Sequence, residues 1–107
     1  MKQISMEDLY GKLNTISKDE VILDVRTPEE FAEGHIVGAM NIDHEVVLDH
    51  VEELKRFKHV YVHCRSGGRA GRAVQALENA GLKNLVCIGN TGMLQWEAAG
   101  YPIVTGK

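Results

Sequence analysis

The spacing of apolar residues changes period several times along the chain. Met6, Leu9, Tyr10, Leu13 and Ile16 recur at helical intervals behind Ser5, which predicts an amphipathic helix with Ser5 as its N-cap. Val21-Ile22-Leu23-Asp24-Val25 is a short β-branched run and predicts a buried strand. Thr27-Pro28-Glu29-Glu30 then supplies a capping hydroxyl, a proline at the first helical position and acids in the first turn, and Gly34 is placed to end that helix. Val47, Leu48, Val51 and Leu54 predict a further amphipathic helix, and Val60-Tyr61-Val62-His63 a second strand. Ala70, Ala73, Val74 and Leu77 form an apolar stripe on a helix that Gly81 ends, and Leu85-Val86-Cys87-Ile88 reads as another buried strand. A last helix runs from about residue 92 to 99, where Gly100-Tyr101-Pro102 stops it.

Strands alternating with helices predict an α/β architecture with a largely parallel sheet. The 107 residues show no repeat or linker and fit one domain spanning 1–107. A net charge of −3 gives no general attraction for nucleic acid or for an acidic membrane, so neither is expected as a partner. No apolar run approaches the ~20 residues that span a bilayer, and the first residues lack the apolar stretch of a secretory signal, so a cytoplasmic location is expected. Cys64 and Cys87 are too few for a disulfide framework and form no Cys-x-x-Cys pair. The five histidines do not fall at zinc-ligand spacings, so neither a metal nor another cofactor is expected.

The segment from Val60 to Arg72 carries the chemistry. It places Cys64 at the C-terminal end of a predicted strand, then a turn containing Gly67 and Gly68, then a helix start. Ligands of open α/β sheets bind just beyond the strand C-termini. Adjacent glycines let the backbone curl and turn several N–H groups toward one point, and the helix start adds its own unpaired donors. Such a concavity suits an anion and favours Cys64 as the thiolate, with Arg65 and Arg69 adding positive charge. Cys87, inside Leu-Val-Cys-Ile, reads instead as a small core hydrophobe. Arg72 reads as a solvated helix residue. His63 falls on the strand face opposite Cys64 and reads as structural rather than as a general base.

Three ordered stretches resemble the rhodanese domain. Leu23 to Ile42, containing Asp-Val-Arg-Thr-Pro-Glu-Glu-Phe and Gly-His-Ile-Val-Gly-Ala-Met-Asn-Ile, is similar to the family's N-terminal signature. Cys64-Arg65-Ser66-Gly67-Gly68-Arg69 resembles the active-site loop of its small bacterial single-domain members, and Gly92 to Ile103 the C-terminal signature. The resemblance implies a rhodanese-like fold, a central, mostly parallel five-stranded sheet with helices on both faces. It implies a thiosulfate sulfurtransferase type of enzyme. The Cys64 thiolate takes sulfur from a small anion such as thiosulfate, or from a persulfide or polysulfide, and the Cys64 persulfide passes it to cyanide, a thiol or a protein. Arg65, Ser66, Gly67, Gly68 and Arg69 would bind the donor and hold the persulfide. Asp24 and Arg26 would support the site as a polar pair bracing the strand ends, with His35 and Asn41 serving turns and Trp96 serving the core. One departure is visible: Thr91 precedes Gly92 where relatives commonly have two glycines, which would strain Thr91 if that position needed positive φ.

Other functions fit less well. Cysteine-dependent phosphatases and arsenate reductases, on related folds, separate cysteine from arginine by five residues, whereas Arg69 follows Cys64 after four. A non-catalytic sensing or docking module of this family would generally lack the cysteine. A nucleotide-binding reading fails because no Gly-x-x-x-x-Gly-Lys-[Ser/Thr] or dinucleotide fingerprint occurs.

Overall fold

The computed structural model of the chain describes residues 2–89 and 91–106. The five strands β1 (Lys2–Gln3), β2 (Glu20–Asp24), β3 (Met40–Asn41), β4 (His59–His63) and β5 (Leu85–Cys87) form one parallel sheet in the order β1-β5-β4-β2-β3. The helices are α1 (Met6–Lys12), α2 (Pro28–Glu33), α3 (Val51–Leu54), α4 (Gly68–Asn79) and α5 (Met93–Ala98). From β2 the chain moves on to β3 on one side, and from β4 it moves on to β5 on the other. The crevice between the C-terminal ends of β2 and β4 is therefore a topological switch point, the place where open α/β sheets bind ligands.

Local chemistry sets the helix starts. Ser5 accepts from the Asp8 amide at 3.0 Å while Asp8 accepts from the Ser5 amide at 3.1 Å, and Thr27 and Glu30 make the same reciprocal box. In α4 the residues that face the sheet are the predicted stripe, Ala70, Ala73, Val74 and Leu77, all buried.

Side chains alternate between two apolar layers, one on each side of the sheet. Val60, Val62 and Cys64 point toward α4 with Val21, Leu23 and Val25. Ile22, Tyr61 and Val86 point the other way, under Met6 and Leu9 of α1 and Met93 and Trp96 of α5. Trp96 is fully buried in that second layer, and its ring N–H donates to the Pro102 carbonyl at 2.8 Å. Tyr10 stacks on Tyr101 with centroids 3.9 Å apart, closing the seam between α1 and the end of the chain.

The predicted helix through Val47 to Leu54 forms differently. His44–His50 is a 3-10 helix, and only Val51–Leu54 is α-helical. Val47 is the one buried residue of the 3-10 segment, so no long apolar stripe holds that stretch at 3.6 residues per turn. The tighter winding leaves Leu48 55% exposed rather than on the core face. Strands β1 and β3, two residues each, lie at the sheet edges and are too short to show a period. Among the described residues no helix is long and apolar enough to cross a membrane.

Candidate active site

Cys64 follows the last residue of β4 and is buried. Its Sγ accepts hydrogen bonds from the main-chain N–H of Gly67 at 3.1 Å and of Ala70 at 3.3 Å. The chain curls this tightly because Gly67 adopts φ 108° as it enters α4, a conformation disfavoured for residues with a Cβ. Gly68 has no such reason: a Cβ there would meet only the Arg72 guanidinium, at 3.8 Å. The α4 start adds N–H groups without intrahelical partners. Together these donors stabilise negative charge on a sulfur at this point.

The two predicted cations behave differently. Arg65, on the loop itself, is exposed. Arg69 is tied to Glu30 of α2 by two bonds, Nη1 to Oε1 at 2.6 Å and Nη2 to Oε2 at 3.0 Å. These bonds hold the Glu30 carboxyl down at about 2, with burial opposing and the Thr27 amide and hydroxyl assisting. Glu30 thus closes the α2 capping box and anchors the far end of the Cys64 loop. Its place in the box is legible in Thr27-x-x-Glu30, but its second partner stands 39 positions away and leaves no local pattern.

Asp24 and Arg26, at the end of β2, are both buried and paired. Arg26 Nη2 donates to Asp24 Oδ2 at 2.7 Å and to the Gly34 carbonyl at 2.8 Å, while Nε reaches Asp24 Oδ1 at 3.0 Å. Asn41 Nδ2 donates to the carbonyls of Asp24 and Arg26, 3.0 Å each, and fixes the turn between them. His63 pairs in register with Asp24 across the sheet. Its Nδ1 lies 3.3 Å from the Cys64 carbonyl and its Nε2 3.8 Å from Asp24 Oδ2, without a hydrogen-bond partner among the described residues. Complete burial pushes the His63 imidazole below its usual range, with Arg26 adding to the effect and Asp24 opposing it. His35 is a turn residue: its Nδ1 contacts the Phe31 carbonyl at 2.8 Å and its ring stacks on Phe31.

A cavity of about 260 Å³ opens beside the loop, lined by Arg26, Glu30, Glu33, Gly34, Arg65, Met93 and Glu97. Ser66 and Gly68 are exposed at the loop's surface.

The model of the rhodanese-like domain matches residues 5–99. The chain belongs to the rhodanese-like family. Over 104 residues it is 29% identical to a sulfurtransferase of Allochromatium vinosum, covering 97% of this chain and 95% of that protein. It is 32% identical over 102 residues to a putative sulfurtransferase, YtwF, of Bacillus subtilis, covering 95% of this chain and 96% of that protein. The crystal structure of a rhodanese-related protein from Thermoplasma volcanium superposes with a TM-score of 0.82 at 34% identity, covering 97% of this chain and 98% of that one. Some other curated relatives are longer, and this chain spans about half of them. Sulfur transfer is the general chemistry that the family and these relatives support.

Within this rhodanese-like domain the C-terminal signature meets the Cys64 loop directly. Met93 donates its amide to the Cys64 carbonyl at 3.0 Å, and Leu94 to that of Arg65 at 3.2 Å. A Cβ on Gly92 would stand 2.5 Å from the Arg65 carbonyl oxygen and collide with that of Cys64. Glycine is required at 92 by close approach, its φ of 171° being ordinary extended backbone. Thr91 is half-buried on the wall of a different cavity, with Ser5, Met6 and Gln95 among its lining, and does not line the one beside the loop. Cys87 is fully buried, and burial pushes its thiol up.

Proposed function

We propose that residues 1–107 form one cytoplasmic rhodanese domain that moves a sulfane sulfur through a persulfide on Cys64. The observation that carries this reading is the pair of amides, Gly67 and Ala70, directed at a sulfur placed at the sheet's switch point. The Cys64 thiolate attacks the outer sulfur of thiosulfate, a polysulfide or a persulfide. With thiosulfate the S–S bond breaks, sulfite leaves with the electron pair, and Cys64 is left as a persulfide anion. A thiophilic acceptor such as cyanide, a thiol or a protein then attacks the terminal sulfur, and the electron pair of the broken bond returns to Cys64.

The loop amides hold the anionic sulfur in both stages, so each displacement begins and ends with a stabilised charge. Arg65, Ser66, Gly67, Gly68 and Arg69 form the donor-binding loop. Asp24 and Arg26 support it by fixing the end of the adjoining strand.

The test is intact mass after incubation with thiosulfate and, separately, with polysulfide. A gain of one sulfur, lost in Cys64→Ser and reversed by cyanide or a thiol, is the expected result. No gain with either donor overturns the reading.

A further inference from the structure

Four arginines stand around the loop, and two already have carboxylate partners. Asp24 binds Arg26, and Glu30 binds Arg69. On the cavity wall this leaves Arg65, Glu33 and Glu97. Both glutamates are exposed, and neither is in an ion pair among the described residues. Glu97 reaches across from α5 to α2, its Oε2 lying 3.8 Å from where a Cβ on Gly34 would stand. The same point is touched by Ile103, a residue 40% exposed, and Leu94, one turn of α5 from Glu97, is 43% exposed. The Arg72 guanidinium lies beside Gly68 and does not line this cavity. The approach past α2 and α5 is thus acidic with an apolar rim.

Discharge of a Cys64 persulfide brings two negative sulfurs together, so an acceptor thiolate needs a counter-charge to remain near the loop. We infer that Glu33 and Glu97 select the acceptor, a cysteine on a basic segment of another protein. Lysine or arginine side chains flanking that cysteine pair with Glu33 and Glu97, and its apolar neighbours lie on Leu94 and Ile103. The inference rests on the persulfide reading above. In the transfer the acceptor thiolate attacks the terminal sulfur of the Cys64 persulfide. The bond from that sulfur to Sγ breaks, Cys64 regains its thiolate, and the partner leaves as a persulfide anion.

The test uses protein loaded with polysulfide and freed of excess donor. Discharge is timed with three short peptides that differ only in lysine, serine or glutamate flanking one cysteine, and with cysteamine, all compared at equal thiolate concentration. The lysine peptide should outpace the glutamate peptide. In Glu33→Gln/Glu97→Gln that ratio should fall by about fivefold, as expected for two charges several ångströms away and partly screened, and the same ratio should shrink in high salt. An unchanged ratio, or preference for the glutamate peptide, overturns the acceptor assignment while leaving the persulfide chemistry standing. Cysteamine matching the lysine peptide overturns the protein partner. Failure of Cys64 to load overturns both readings.

Discussion

Met93 and Cys64 are joined through the backbone: the N–H that opens α5 donates to the carbonyl of the candidate nucleophile at 3.0 Å. The bond satisfies a helix-start donor and fixes the carbonyl end of Cys64, while the loop amides fix the sulfur end. Gly92 makes the approach possible. Gly92→Ala should push α5 and the loop apart, costing about 1–3 kcal/mol, as overpacking generally does. Persulfide loading should slow by roughly tenfold or more, because misplacement of a reacting group by about 1 Å can cost a hundredfold. Thermal melting and a loading time course measure the two effects, and wild-type values in both would show that the close approach has no consequence.

The two adjacent loop glycines should respond differently. Gly67→Ala forces a side chain into positive φ at the helix entry and should destabilise by about 1–3 kcal/mol, with loss of loading. Gly68→Ala meets only ordinary contact and restricts the unfolded chain, so stability should hold or rise by about 0.4–1 kcal/mol. Denaturant titration of both variants checks the contrast. Equal losses would contradict the assignment of the turn to Gly67.

The Glu30–Arg69 pair predicts an acid-sensitive loop. The Glu30 carboxyl is lowered from 4.5 to about 2 on folding, so the unfolded chain binds the proton more tightly. Its contribution is complete above about pH 4.5 and is lost as the pH falls toward 2. The pair is partly exposed, so the expected contribution is about 1–2 kcal/mol after allowance for solvent. Glu30→Gln should lower stability at pH 7 and flatten the decline between pH 4.5 and 2 that this pair produces. A stability curve parallel to wild type across that window would count against the pair.

Much of this molecule is legible before any coordinates. The stripe Ala70, Ala73, Val74 and Leu77 faces the core, and Ser5 and Thr27 cap their helices, because these features depend on residues a few positions apart. The Cys64 loop is legible for the same reason. Contacts between distant segments are not. Arg69 reads as a free cation until Glu30 is brought to it, and Gly92 reads as part of a helix start until the carbonyls of Cys64 and Arg65 arrive beside it. Strands β1 and β3 owe their pairing to the sheet edge alone, and the 3-10 winding of His44–His50 follows from how little of that segment is buried.

Asp24 and Arg26 provide a test that separates bracing from chemistry. Removing one partner of a buried ion pair leaves an uncompensated charge, so Asp24→Ala should cost about 3–5 kcal/mol, whereas replacing both by apolar residues is often nearly neutral. In Asp24→Leu/Arg26→Met much of that loss should therefore return. Full recovery is not expected, because Arg26 Nη2 also satisfies the Gly34 carbonyl and Asp24 Oδ1 accepts from the Arg26 amide. If the pair only braces the strand end, loading of Cys64 should track the folded fraction in both variants. If the folded fraction of the double variant loads sulfur far more slowly than wild type, the pair acts on the reaction itself, and its description as a brace is wrong.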